Sequence, residues 1–343
     1  MPHALARDLE GDREGDDRRE ILIAGLGSIG RRHLANLVAL GWDRIRLLRT
    51  GRSTLPDRDL DGWPVDRDLD EALARRPLAV IVATPTSRHL DVAIPAARAG
   101  AHLLVEKPLS HDPGGIDELA RDVEARGLAA LVGFQFRFHP AFLQVKRWLD
   151  EGAIGTVVSA DVHWGEHLPD LHPWEDFRRG YAARADLGGG VLLTFCHPFD
   201  YLRWLLGEIR EVSAAEAGHG RLGLDVDTVV NIGVRFAGGA IGHVHLNFVQ
   251  QPSEHRLRIV GEAGTIVWSQ DDHAARRYVP AEQRWAAAPP PPGFTRNDLF
   301  LAEMRHFLAC LRGGDAPACT LRDGLAVQRV VADARRALDG VCA

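Results

Sequence analysis

Hydrophobic and polar positions change their spacing near residue 134, and the change divides the chain in two. Before it, apolar runs of strand length alternate with segments of helical spacing. Glu20–Ala24, Arg44–Leu48, Leu78–Ala83, Ala101–Val105 and Ala129–Phe134 read as buried strands. Ser28–Leu40, Leu69–Arg75, Leu90–Ala99 and Gly115–Ala125 read as the helices between them. Such alternation predicts a parallel sheet, with ligand-binding loops at the carboxyl ends of its strands.

After Phe134 the texture differs. A helix over Ala141–Leu149 and a strand over Thr156–Trp164 lead into an aromatic, charged loop, Gly165–Ala185, and then a helix over Gly190–Leu206. Val212–Ala217, Thr228–Phe236, Ala240–Phe248, Arg256–Val260 and Gly264–Ser269 follow as alternating or β-branched runs. The short turns between them predict a large, mostly antiparallel sheet. Pro289–Pro292 is a stiff linker before two last helices, Asn297–Leu311 and Leu321–Leu338.

A chain of 343 residues exceeds the ~300 at which a single core stops growing, so two domains are expected. A net charge of −6 without a basic stripe argues against a nucleic-acid partner. No apolar run approaches the ~20 residues of a membrane span. Residues 1–19 are charged and lack the apolar core of a secretory signal, so a disordered arm is expected there. The four cysteines show no metal-binding spacing. These features together predict a cytoplasmic enzyme for a small molecule.

Gly25-Leu26-Gly27-Ser28-Ile29-Gly30 lies between the first strand and the first helix, which is the context a dinucleotide fingerprint requires. Gly25, Gly27, Ser28, Ile29 and Gly30 are therefore expected at the pyrophosphate. At the end of the second strand, Arg49-Thr50-Gly51-Arg52-Ser53 offers no carboxylate for a ribose 2′-hydroxyl. That favours NADP(H) over NAD(H), with Arg49, Thr50, Arg52 and Ser53 at the 2′-phosphate.

Only two of the 41 basic residues are lysine, Lys107 and Lys146. Arginine does not release its proton at a working pH, whereas a lysine that is desolvated or near other cations can. Lys107 follows the fourth strand, beside the expected nicotinamide, and suits proton exchange with a substrate hydroxyl.

Four features then coincide: Gly25–Gly30; Ala83–His89; Glu106-Lys107-Pro108; and Gly188-Gly189-Gly190 with His197 and Asp200 beyond. Together they resemble the Gfo/Idh/MocA family, the glucose–fructose oxidoreductase and inositol dehydrogenase group, over nearly the whole chain after residue 20. The resemblance implies an α/β fold with a Rossmann dinucleotide-binding domain over 20–134. It implies an α+β domain with a large open sheet over 135–343, which binds substrate and forms the oligomer. It further implies a nicotinamide cofactor, a sugar, nucleotide-sugar or cyclitol substrate, a cis peptide before Pro108, and a homodimer or homotetramer. Thr84, Pro85, Thr86, His89, Glu106 and Lys107 are then expected at the cofactor, and Lys107 and His197 as the proton-handling pair.

Sugar and inositol dehydrogenases of that family carry an aspartate four residues before this histidine. Here Leu193 holds that position, followed by Thr194, and neither is a carboxylate. Gln135, Arg137, Trp174, Asp176, Arg178, Tyr181, Thr194 and Asp200 are expected to contact substrate, with the loop around Trp174 folding over it; for Arg137 a salt bridge at the domain interface is an equal reading. His163, His167 and His172 show no ligand motif, so no metal site is expected. Two other readings stay open. One is an oxidoreductase for a nucleotide-linked sugar or sugar acid, held by Arg178–Arg184. The other is a catalytically silent dinucleotide-binding sensor, prompted by the missing carboxylate.

Overall fold

A computed structural model describes residues 19–51, 60–171, 173, 176–217 and 221–341, and structural statements below concern these residues. Six parallel strands form the first sheet: β1 (Ile21–Ala24), β2 (Ile45–Leu48), β3 (Val65–Asp66), β4 (Ala79–Val82), β5 (His102–Glu106) and β6 (Ala130–Gly133). Their order is β3-β2-β1-β4-β5-β6. β1 and β4 are buried at every position, because helices cover both faces. Those helices are α1 (Ser28–Ala39), α2 (Leu69–Ala74), α3 (His89–Arg98) and α4 (Ile116–Ala125). Strand order reverses between β1 and β4, so the loops that follow them part and leave a crevice at the carboxyl edge.

Beyond α5 (Pro140–Asp150), β7 (Val157–His167) opens the second sheet. The short helices α6 (Leu168–Leu171) and α7 (Val191–Thr194) and the longer α8 (His197–Leu206) precede its other strands. These are β8 (Ile209–Glu216), β9 (Val229–Phe236), β10 (Ile241–Asn247), β11 (Val249–Gly261), β12 (Gly264–Ser269), β13 (Ala275–Val279) and β14 (Arg284–Ala288). The order is β14-β13-β12-β11-β7-β10-β9-β8. β7 runs parallel to β10 and antiparallel to β11, and the remaining neighbours are antiparallel. One face, with Ala160, Val162, Val244, Leu246, Leu257 and Ile259, is buried in the core. On the opposite face Asp161, His243 and Arg258 remain uncovered.

Two last helices join the halves. α9 (Arg296–Leu311) packs on α1, and Asn297 bonds Asn36 at 2.9 Å. Thr295 starts α9 with a reciprocal capping box closed by Asp298, which satisfies two orphan amides. α10 (Leu321–Val341) touches β6 and α4 of the first half and β8 and α8 of the second.

The structure departs from the sequence pattern in four places. The segment read as one helix over Gly190–Leu206 breaks at Phe195–Cys196, where Pro198 in the first turn of α8 cannot donate to a preceding turn. β3 is too short to carry a periodicity. β13 and β14 are rich in alanine and arginine, residues that strands disfavour or that give no alternation, and pairing alone makes them strands. β7 runs on to His167, and the loop beyond it winds into α6 and three 3-10 turns.

Candidate active site

The fingerprint glycines divide their work. A Cβ on Gly25 would meet the Ala83 carbonyl oxygen at 2.5 Å, and one on Gly30 would meet the Gly25 oxygen at 1.9 Å. These two close the turn against β4 and against itself. A Cβ on Gly27 would meet nothing within 4 Å, so this glycine faces open space at the start of α1. No side chain caps α1 and no acid lies in its first turn, which leaves its amides and positive dipole end for an anion. A dinucleotide pyrophosphate fits this cradle. Ser28 and Ile29 form the first turn.

The second-strand expectation falls partly outside the description. Arg52 and Ser53 lie outside the described residues. Arg49 is half-buried and Thr50 exposed, just beyond β2. The sheet sets one carboxylate, Asp66, beside Leu48, but it stands 3.4 Å from Arg46 and 3.5 Å from Arg75.

Lys107 follows β5 at the crevice, and its peptide to Pro108 is cis. Its Nζ donates to the Thr194 main-chain oxygen at 2.9 Å. Burial acts to lower its pKa, and the acidic groups of Tyr181, Cys196 and Glu106 outweigh it, so the ammonium stands above its ordinary range. Desolvation thus does not free this amine in the resting protein, contrary to the sequence argument. Tyr181 opens the turn Tyr181–Ala183, which packs on α7.

Glu106 lies behind Lys107. Its carboxylate is 2.7 Å from His33 Nε2, a fully buried residue of α1, and accepts the Lys107 amide at 3.3 Å. His89, expected at the cofactor, is a fastener instead. It is buried, and its ring nitrogens lie 2.9 Å from the carbonyl oxygens of Thr84 and Pro108, pinning the loops after β4 and β5 together. Pro85 and Thr86 begin the next turn, and Thr86 packs beneath Gly188.

His197 opens α8 and is 2% exposed. Trp164 stacks near its ring, with centroids 5.7 Å apart, and Phe134 and Phe136 meet its edges. Trp164 is itself clamped between Phe195 and His255, at 4.5 and 4.1 Å. Burial first, then the Lys107 charge, hold the imidazole well below its usual pKa, so it is neutral near pH 7. The Gln135 carboxamide nitrogen lies 3.5 Å from Nε2, and Nδ1 has no protein partner. Thr194 Oγ1 is likewise buried without a partner, while Leu193 is fully enclosed in the core.

The substrate reading is corrected for Asp200, and for Arg137 the salt-bridge reading is the one the structure shows. The guanidinium grips the Asp200 carboxylate with two bonds of 3.0 and 2.7 Å. It also donates to Ala318 O at 2.6 Å and meets Asp323 at 3.2 Å. Arg137 and Asp200 tie α8 to α10 in the interior, and neither keeps a free group for ligand. Asp176 caps the turn Phe177–Arg179 through the Arg178 amide, and the Arg178 side chain lies over Phe177 in solvent. Trp174 lies outside the described residues.

Sequence reading passed over Trp164 and His33. Trp164 was taken as the end of a strand, although inward alternation with Ala160 and Val162 marks it as core-facing. His33 carried no local signal, because its partner is 73 residues away.

Residues 19–134 match the family model described as an oxidoreductase family with NAD-binding Rossmann fold, and residues 142–267 the GFO/IDH/MocA C-terminal domain. The scyllo-inositol 2-dehydrogenase (NAD(+)) of Bacillus subtilis is 30% identical over 317 residues, covering 87% of each chain. The myo-inositol 2-dehydrogenase of Thermotoga maritima is 26% identical over 266 residues, 72% of this chain and 73% of its own. In fold, the chain is similar to levoglucosan dehydrogenase in complex with NADH and levoglucosan. The TM-score is 0.83 at 20% identity, covering 94% of this chain and 97% of that one.

Proposed function

Because the chain belongs to the GFO/IDH/MocA oxidoreductases, with their NAD-binding Rossmann fold, we propose that it interconverts a hydroxyl and a ketone on a cyclitol or sugar. The bound nicotinamide would supply or accept the hydride. The observation that carries this reading is Lys107, a cation held at the crevice by a bond to Thr194.

Around it stand groups suited to an uncharged polyol: Thr194 Oγ1, His197, Gln135 and Tyr181. In the reducing direction the Lys107 ammonium gives its proton to the carbonyl oxygen as the hydride arrives. In the oxidising direction the amine receives the hydroxyl proton, which requires it first to be neutral. His197, neutral and fixed against Trp164, accepts or donates one hydrogen bond and orients the hydroxyl. Turnover with a panel of cyclitols and sugars, followed by nicotinamide absorbance, tests the reading. Tight dinucleotide binding without turnover on any of them would favour a silent sensor.

Two finer statements belong to the same proposal. Arg49, Thr50, Arg52 and Ser53, with no carboxylate among them, support NADP(H) as the preferred cofactor. The uncovered face of the second sheet supports a homodimer or homotetramer. Light scattering on the purified chain measures the second; a monomer at micromolar concentration would reject it.

A further inference from the structure

Arg32 of α1 and Arg296 of α9 lie where these two helices meet. Asn297 bonds Asn36 at 2.9 Å, and about a turn away on each helix the Arg32 guanidinium lies over the Phe300 ring, 4.4 Å from its centroid. Arg296, Phe300 and Glu303 recur at helical spacing and share one side of α9. Phe300 and Glu303 are buried, yet Arg296 at the head of that side is exposed. Arg32 stands one helical turn beyond Ser28 and the Gly27 cradle, and helix side chains lean back toward the N-terminus. Both cations thus border the uncapped end of α1.

Neither guanidinium has a hydrogen bond or an ion pair among the described residues. Resting one face on Phe300 leaves the N–H groups at the edge of Arg32 to donate. Burial, then the charge of Arg296, lower the Arg32 pKa, against a smaller rise from Glu106. Glu106 is itself engaged by His33 and the Lys107 amide, and Asp298 by the cap at Thr295. Two accessible arginines without a carboxylate partner suit an anion.

We propose that Arg32 and Arg296 clamp the diphosphate of the cofactor, so that α9 closes over a dinucleotide held by the first half. The inference rests on the nicotinamide-cofactor reading, and residues 19–134 match an NAD-binding Rossmann fold. Charge decides for the diphosphate. It carries about two negative charges, and the end of α1 supplies the equivalent of only ~0.5 positive charge. Two guanidinia offset the remainder, each donating N–H bonds to phosphate oxygens while the α1 amides hold the other side. A neutral cyclitol would leave both arginines without a counter-charge.

Calorimetric titration with NAD⁺, NADP⁺ and ADP-ribose, which keeps the diphosphate and lacks the nicotinamide, tests this. Arg32→Gln and Arg296→Gln should each weaken the tighter dinucleotide and ADP-ribose tenfold or more. Both should also flatten the loss of affinity on adding salt. Arg296 is exposed, so Arg296→Gln should keep Tm, and it decides alone if Arg32→Gln unfolds the protein. ADP-ribose binding to Arg296→Gln within twofold of wild type would overturn the clamp. So would unchanged dinucleotide affinity with a raised KM for an acidic sugar, which would give the pair to substrate. Binding is read without turnover: an inactive protein with these losses would reject the hydroxyl–ketone reading and keep the clamp.

Discussion

Lys107 Nζ and the main-chain oxygen of Thr194 meet at 2.9 Å across 87 residues of sequence. The first partner follows a strand of the parallel sheet and the second ends a helix of the other half. The direction of the Lys107 amine is thus fixed by both halves together.

Lys107→Ala should lower kcat by ~10²–10⁴ while cofactor affinity, measured by calorimetry, changes little. Lys107→Arg should be nearly as damaging, since guanidinium keeps the charge and cannot pass the proton. Recovery by arginine would reduce the role to electrostatics.

The pH profile follows from the raised Lys107 pKa. The reducing reaction should hold its rate through neutral pH and fall only as the ammonium is lost, above the ordinary lysine range. The oxidising reaction should climb with pH over the same interval. An inflection near pH 6.5 in both directions, abolished by His197→Ala, would transfer the proton step to His197.

Gly27→Ala and Gly30→Ala should separate binding from folding. Gly27 has open space and φ of −72°, so alanine there should keep Tm and weaken dinucleotide binding tenfold or more. At Gly30 the added carbon collides with the Gly25 carbonyl, and Tm should fall markedly. The reverse pattern, read by thermal melts and titration, would refute the division of labour.

Arg137→Met leaves Asp200 buried without its guanidinium partner, and should cost about 3–5 kcal/mol in denaturant unfolding. Arg137→Met with Asp200→Leu should cost less than the two single changes summed. Simple additivity would mean that the pair is not coupled.

Glu303 is fully buried with both oxygens unpartnered, and burial, then the charge of Glu106, raise its pKa well above the usual range. The folded state therefore holds its proton more tightly than the unfolded chain. The stability this gives is complete below the unfolded pKa of ~4.3 and is lost as pH rises through the folded value. Glu303→Gln, a mimic of the protonated acid, should match wild type in Tm at pH 4 and exceed it at pH 8. An equal difference at both pH values would show that the carboxyl does not titrate on unfolding.

Period and glycine placement made the first sheet legible, because every central strand there is buried on both faces. The fingerprint and Lys107 were legible for a similar reason: each sits at a strand end, where local sequence sets position. Long-range pairing hid the rest. A salt bridge was one of two readings of Arg137, but nothing in the local sequence names Asp200 as its partner, and nothing near His89 shows that two carbonyls will lie against it. Asp200 and His89 were read as ligand contacts because a polar residue near a cleft looks the same whether it faces inward or out. β13 and β14 likewise follow from the strands beside them rather than from their own residues.

β7 lies at the centre of the second sheet, yet it is synthesised before every strand that pairs with it. Its neighbours, β10 and β11, begin at Ile241 and Val249. β8-β9-β10 and β11-β12-β13-β14 are two meanders whose contacts are local, so each can close as soon as it leaves the ribosome. Until then β7 offers two unpaired edges to its surroundings, and the second half becomes one sheet only when the two meanders dock on either side of it. The nascent chain thus carries this strand with both edges open until the two meanders are made, and those edges are where mispairing can begin.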